Sequence, residues 1–239
     1  MPVAAQVRVL YRDELLLVVD KPAGVLTVPG RSDSSVPLSA MVREIAPSAL
    51  AVHRLDRDTS GAVVFALTRE AHRALNIVFE TRKAEKIYLA LCRGDLPGAR
   101  RIDVPLADAR RGGMRLAAPG ELRAQEALTE FEPQERFGAV TLVKCLPRTG
   151  RTHQIRLHLA SMGLPILVDP RYGEGRPVRS RELWADAPED SIVLARTPLH
   201  SASLRIPHPS GVRWLQVESP LPEDLSRCLD LLRAARRAQ

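Results

Sequence analysis

Cysteine, aromatic residues and lysine are all scarce in this chain, and each shortage excludes something. The three cysteines, Cys92, Cys145 and Cys228, lie far apart, with no Cys-x-x-Cys spacing and no histidine nearby. That argues against a disulfide framework and against a structural zinc site, and it suits a reducing compartment. Aromatics make up 4% of the residues, too few for a binder that stacks one single-stranded base after another. No apolar run approaches the roughly 20 residues that cross a bilayer. The start, Met1-Pro2-Val3-Ala4-Ala5-Gln6, has no basic segment leading into an apolar core, so no signal peptide is expected. These absences predict a soluble, cytoplasmic protein without a membrane partner.

What is present is arginine. The chain carries a formal charge of +7, and of its 35 basic residues only Lys21, Lys83, Lys86 and Lys144 are lysines. Such a balance points toward a polyanionic partner. Arginine's planar fork suits bidentate phosphate contacts, although a compositional drift toward Ala, Pro and Arg accounts for much of the excess. A basic, aromatic-poor protein fits one that grips phosphates and acts on a single nucleotide. With 239 residues, 45% of them hydrophobic, the chain is long enough to bury a real core.

Hydrophobic patterning predicts a buried strand over 15–19, closed by the turn cluster Asp20-Lys21-Pro22-Ala23-Gly24. A short helix is expected over 39–45, a strand over 61–67 and a helix from Arg69 to about Lys83. Strands follow over 87–92 and 140–143, then a helix over 152–162 ended by Gly163. Two late strands, 199–204 and 212–217, are joined by the turn 207–211, and a helix starts at Glu223. The segment 99–127 holds Arg100, Arg101, Arg110, Arg111, Arg115 and Arg123 beside Gly112-Gly113 and Pro119-Gly120. It reads as a solvated loop in preference to a mobile arm that closes on a phosphate backbone.

Two clusters carry chemistry. In His53-Arg54-Leu55-Asp56-Arg57-Asp58-Thr59-Ser60-Gly61, a carboxylate stands between arginines, which favour its ionised form. Asp56 is then available as a nucleophile or base, and a surface ion pair before a strand is the plainer alternative. In the second cluster, 146–158, three arginines (Arg148, Arg151, Arg156), two histidines (His153, His158) and Gln154 gather at a helix start, where anions are favoured. The histidines are five apart with no carboxylate between them, so a metal site is not expected.

Together these clusters resemble the RluA-type pseudouridine synthases. Tyr11 through the Lys21-Pro22-Ala23-Gly24 turn, the 53–61 stretch, Lys86-Ile87-Tyr88 with Gly94, and Thr149 to Arg156 follow the family's order. Pro165-Ile166, Asp169 to Gly173, Leu199-His200 and His208-Pro209 also fit. Leu164, Val168 and Ser201 depart from it, standing where the family usually has His, Gly and often Ala. There is no room for the S4-type RNA-binding domain of some relatives, so a single catalytic domain over 1–239 is expected.

The resemblance implies an α+β fold around a long, mostly antiparallel mixed sheet, flanked by helices and crossed by an RNA cleft. It implies isomerisation of a uridine in a ribosomal or transfer RNA stem-loop, after the nucleotide is flipped out, by a monomer that uses no cofactor and no metal. By the same resemblance Asp56 is the nucleophile or glycosidic-bond activator, Tyr88 packs on the base and moves the proton, and Arg156 is the cation paired with Asp56. Arg54 helps extrude the nucleotide and Ile155 packs beside the flipped base, while Arg151 and His153 face the RNA. Two rivals remain: a non-catalytic RNA-binding or ribosome-associated protein on the same fold, and a hydrolase that releases uracil.

Overall fold

The computed structural model describes residues 7–30, 33–110 and 113–238. In chain order the elements are β1 (Arg8–Arg12), β2 (Leu16–Lys21), α1 (Leu38–Ile45), β3 (Leu50–Ala51), β4 (Ser60–Ala66) and α2 (Arg69–Glu80). Then come β5 (Glu85–Arg93), β6 (Arg100–Asp103), β7 (Leu106–Asp108), β8 (Met114–Leu116), β9 (Leu128–Arg136) and β10 (Val140–Pro147). The chain closes with α3 (Gln154–Ser161), β11 (Val178–Arg179), α4 (Ser180–Leu183), β12 (Ile192–Leu194), β13 (Leu199–Pro207), β14 (Trp214–Glu218) and α5 (Glu223–Arg237). Two compact units share these elements: Met1–Lys86 with Ser201–Pro220, and Ile87–His200 with Leu221–Gln239. They are interleaved in sequence, so neither is one consecutive stretch.

The first unit is built on β1, β2, β4 and β13, with β14 added beside β13 and β3 beside β4. β4 is buried along its whole length, which is why Ala62-Val63-Val64-Phe65-Ala66 is a continuous apolar run rather than an alternating one. Its register against β2 sets Lys21 opposite Gly61. Lys21 therefore ends a strand, where the sequence suggested a turn. α2 starts where the Thr68 side chain accepts a hydrogen bond from Ala71 N at 3.1 Å, with Glu70 in the first turn, both stabilising a helix N-terminus. Ala71 and Leu75, four residues apart and so on one helix face, pack with Val18, Val64, Leu204 and Val217.

The second unit pairs β5, β10, β9 and β6 side by side, each pair for which a register is defined being antiparallel. α5 begins after Pro222 with Glu223 and Asp224 and ends on Arg236 and Arg237, both complementing the helix dipole. It buries Leu225, Cys228, Leu229, Leu232 and Ala235, the helical spacing expected of one apolar face. All three cysteines are buried and free.

The segment 99–127 is not a plain loop. β6 pairs with β9, and β7 and β8 form a separate antiparallel ribbon. Leu106, Met114 and Ala127 turn inward onto Leu157 of α3. Apolar residues every few positions among the arginines supply a core-facing side, and that side decides the structure. Arg111 lies outside the described residues.

Candidate active site

The motif 53–61 is a loop leading into β4, and almost every bond that shapes it ends on main chain. The Lys21 side chain is fully buried. Its Nζ donates to Pro22 O at 2.9 Å, Val25 O at 2.6 Å and Arg57 O at 2.8 Å. A buried ammonium is tolerated only when its protons are all spent, and three converging carbonyls do that. Arg57 O also accepts from Gly24 N at 2.9 Å. Thr27 Oγ1 donates to Leu55 O and accepts from Leu55 N, both at 3.0 Å. At the loop's start, His53 Nε2 accepts from Val64 N at 3.1 Å, and its ring stacks on Phe79 at 4.6 Å. Burial, with the nearby Lys86 charge, pushes the His53 pKa down to about 3, so the ring stays neutral and keeps its acceptor. At the loop's end, Gly61 has φ +113°, and a Cβ there would meet Ser201 O at 2.3 Å. Only glycine fits.

Asp56 and Arg54 ride on this frame. Asp56 is partly buried, and its carbonyl accepts from Thr59 N at 3.2 Å, turning the chain. Arg54 is exposed. The sequence suggested both neighbouring arginines as counter-charges for Asp56, and Arg57 pairs with Asp33.

Tyr88, Arg151, His153, Ile155 and Arg156 belong to the second unit. Tyr88 is a buried residue of β5, opposite Cys145 of β10. The approach to α3 is organised by Gln154. Its Oε1 accepts from Thr149 Oγ1 at 2.7 Å and from Arg151 N at 3.0 Å. Its Nε2 donates to Leu128 O at 3.0 Å and Thr129 Oγ1 at 2.9 Å. His158 is fully buried between Thr129 Oγ1 and Val104 O, each at 3.0 Å. Thr149, Gln154 and His158 are therefore scaffold. Arg151 Nε donates to Glu126 O at 3.1 Å.

His153 caps α3 from the left-handed region, φ 57°. Ile155 is buried on the first turn of α3. Arg156 donates from Nε and Nη2 to the two carboxylate oxygens of Asp169, at 2.7 and 2.8 Å. Its guanidinium lies 5.3 Å from the Tyr172 ring centre. Burial opposes charge on Asp169, but hydrogen bonds from Arg156, Arg171 N and Tyr172 N outweigh it and hold its pKa below the usual carboxylate value. The residue before it, Val168, has φ 60°. For a β-branched side chain that conformation costs on the order of 1–2 kcal/mol, which a glycine would avoid. Asp169 is the site residue that sequence reasoning left without a role. The signal was its place in the stretch 169–173, five residues with no periodicity to interpret.

A family model described as RNA pseudouridylate synthase matches residues 15–161. The chain belongs to the RNA pseudouridylate synthase family. It is 38% identical over 233 residues to "Ribosomal large subunit pseudouridine synthase C" of Escherichia coli (strain K12), covering 95% of this chain and 70% of that protein. It is also 38% identical over 245 residues to "Ribosomal large subunit pseudouridine synthase D" of Pseudomonas aeruginosa, covering 98% and 74%. Among solved structures, "Human RNA Pseudouridylate Synthase Domain Containing 1" superposes with a TM-score of 0.73 at 28% identity, over 100% of this chain and 98% of that one. "Human RNA Pseudouridylate Synthase Domain Containing 4" shares the fold, with a TM-score of 0.76 at 23% identity over 95% and 93%.

Family membership bears out the resemblance drawn from the motifs, and with it the mostly antiparallel α+β fold. The chain is an isomerase of uridine in RNA, a pseudouridine synthase. No helix among the described residues is long and apolar enough to cross a membrane.

Proposed function

We propose that this protein converts a uridine of large-subunit ribosomal RNA to pseudouridine, acting as one catalytic domain, as a monomer and in the cytoplasm. The observation that carries the choice of RNA is 38% identity across 95% of the chain to a synthase named for the ribosomal large subunit.

The residue roles follow from the motif and from general chemistry. Asp56 attacks or stabilises ribose C1′ as its bond to uracil N1 breaks. The uracil turns in place and C5 bonds to C1′. The C5 proton then leaves by way of the Tyr88 hydroxyl and N1 takes up a proton, so the mass is unchanged. Arg156 is the cation that the motif assigns to the reaction at Asp56. Ile155 and the Tyr88 ring confine the detached base away from water. Arg54, exposed beside Asp56 in sequence, holds the gap left by the flipped nucleotide. Arg151 and His153 contribute contacts to RNA. Every step exchanges protons and one glycosidic bond, which calls for no cofactor or metal.

The test is a competition. Unmodified large-subunit ribosomal RNA and unmodified transfer RNA are incubated with the protein, and pseudouridine is mapped in both. Formation at one position of the ribosomal RNA alone is the expected result; modification confined to transfer RNA would overturn the assignment of substrate.

A further inference from the structure

Arg156 can serve Asp56 only if its guanidinium points one way, and a side chain with four rotatable bonds does not do so unaided. In the second unit its orientation is set by Asp169, whose side chain is fully buried. Asp169 Oδ2 accepts from Arg156 Nε at 2.7 Å, and Oδ1 accepts from Nη2 at 2.8 Å. This fork fixes both the plane of the guanidinium and the direction of its Nη1 edge. The carboxylate is itself anchored, because Oδ1 also accepts from Arg171 N at 2.9 Å and Tyr172 N at 3.1 Å.

The Tyr172 ring supplies a second wall. Its hydroxyl donates to Met114 O at 2.9 Å and lies 3.1 Å from His153 Nδ1. A phenol has one proton, and Met114 takes it, so His153 Nδ1 is the donor to the phenolic oxygen. The left-handed backbone at Val168 immediately precedes the carboxylate, and such strain persists only where the surroundings over-determine a conformation.

We infer that Asp169 is the positioning residue for Arg156: it acts on the isomerisation through the orientation of that guanidinium and touches neither RNA nor the reacting atoms. This rests on the proposed role of Arg156 at Asp56. Asparagine at 169 keeps the volume and the oxygen that holds Arg171 N and Tyr172 N, but it loses the charged fork.

The test uses single-turnover conversion of a large-subunit ribosomal RNA transcript at saturating concentration, with RNA affinity measured separately. Asp169→Asn is expected to slow conversion by about 10-fold or more, as misplacement of a catalytic group does, with affinity unchanged. In an Arg156→Lys background the same substitution should cost under about 2-fold, since residues acting through one another are not additive. Methylguanidinium should restore part of the activity of Arg156→Ala, and none when Asp169→Asn is added. Equal losses in both backgrounds, or rescue independent of Asp169, would overturn the proposal by making Asp169 a scaffold residue. Full activity of Asp169→Asn beside an impaired Arg156→Ala overturns it while leaving the role of Arg156 intact. Full activity of Arg156→Ala removes that role, and the proposal with it.

Discussion

The loop that carries Asp56 and the helix start that carries Arg156 are held by opposite means. In the first unit the frame grips main chain: Lys21 and Gly24 close on Arg57 O, and Thr27 closes on Leu55. In the second unit the grip falls on the Arg156 side chain itself, through Asp169. A two-carbon carboxylate side chain is placed once its backbone is placed. A long guanidinium is not, because its rotamer freedom is large. The two devices answer two different entropies. Disturbing the first should show in folding and loop order, and disturbing the second in turnover.

The largest effect expected on that basis is from Lys21→Met, which takes the lysine donor from Pro22 O and Val25 O while Arg57 O keeps Gly24 N. At about 1–3 kcal/mol for each buried unsatisfied group, urea denaturation should show a loss of about 2–6 kcal/mol; a loss under about 1 kcal/mol would mean that the lysine does not lock the loop. In the second unit, Tyr88→Phe keeps the ring and removes the hydroxyl. A rate loss on the order of 10²-fold is expected if that hydroxyl moves a proton, with RNA affinity unchanged, and full activity would leave Tyr88 a packing role alone.

A smaller effect separates the units by pH. The folded state holds His53 down at about 3, below the ~6.5 of a free histidine. The unfolded chain then binds more protons between these values. The stability His53 contributes is complete above pH ~6.5 and drains away as the pH falls toward 3, by on the order of 1–2 kcal/mol at pH 5. Replacing His53 with Gln, which can still accept from Val64 N, should flatten that slope in denaturation measured at several pH values. An unchanged slope would exonerate His53. The smallest effect is expected at Arg110, exposed beside the tip of the β7–β8 ribbon. Arg110→Ala should leave turnover at saturating RNA normal and reduce the salt dependence of binding by about one phosphate contact. An unchanged salt slope would mean that this ribbon does not face RNA.

Much of this architecture was legible because local and tertiary preferences agree. Thr68 and the spacing of Ala71, Leu75 and Val78 announce α2, and the uninterrupted apolar run announces β4. β9, by contrast, reads Leu-Thr-Glu-Phe-Glu-Pro-Gln-Glu-Arg, with a proline and four charges. Only its pairing between β10 and β6 makes it a strand, with a bulge beside Pro133. The 99–127 segment misled for the same reason, since its arginines are conspicuous and its inward residues are few. In the proposed site, the 53–61 motif made Asp56 the candidate. The burial of Lys21 and the capture of Arg156 by Asp169 did not show, because each depends on residues that only the fold brings together. Both concern how a functional group is held, and a motif records the group rather than its support.

The central claim, that the Asp56 carboxylate acts on the glycosidic bond, is tested most directly by one comparison. Uridine-containing large-subunit ribosomal RNA is incubated with the wild-type protein and with Asp56→Asn, and its nucleosides are separated and weighed. The wild type is expected to give a carbon-linked isomer of unchanged mass, and Asp56→Asn none despite RNA binding within a few-fold of normal. Sustained turnover by Asp56→Asn, or free uracil released by the wild type, would contradict it.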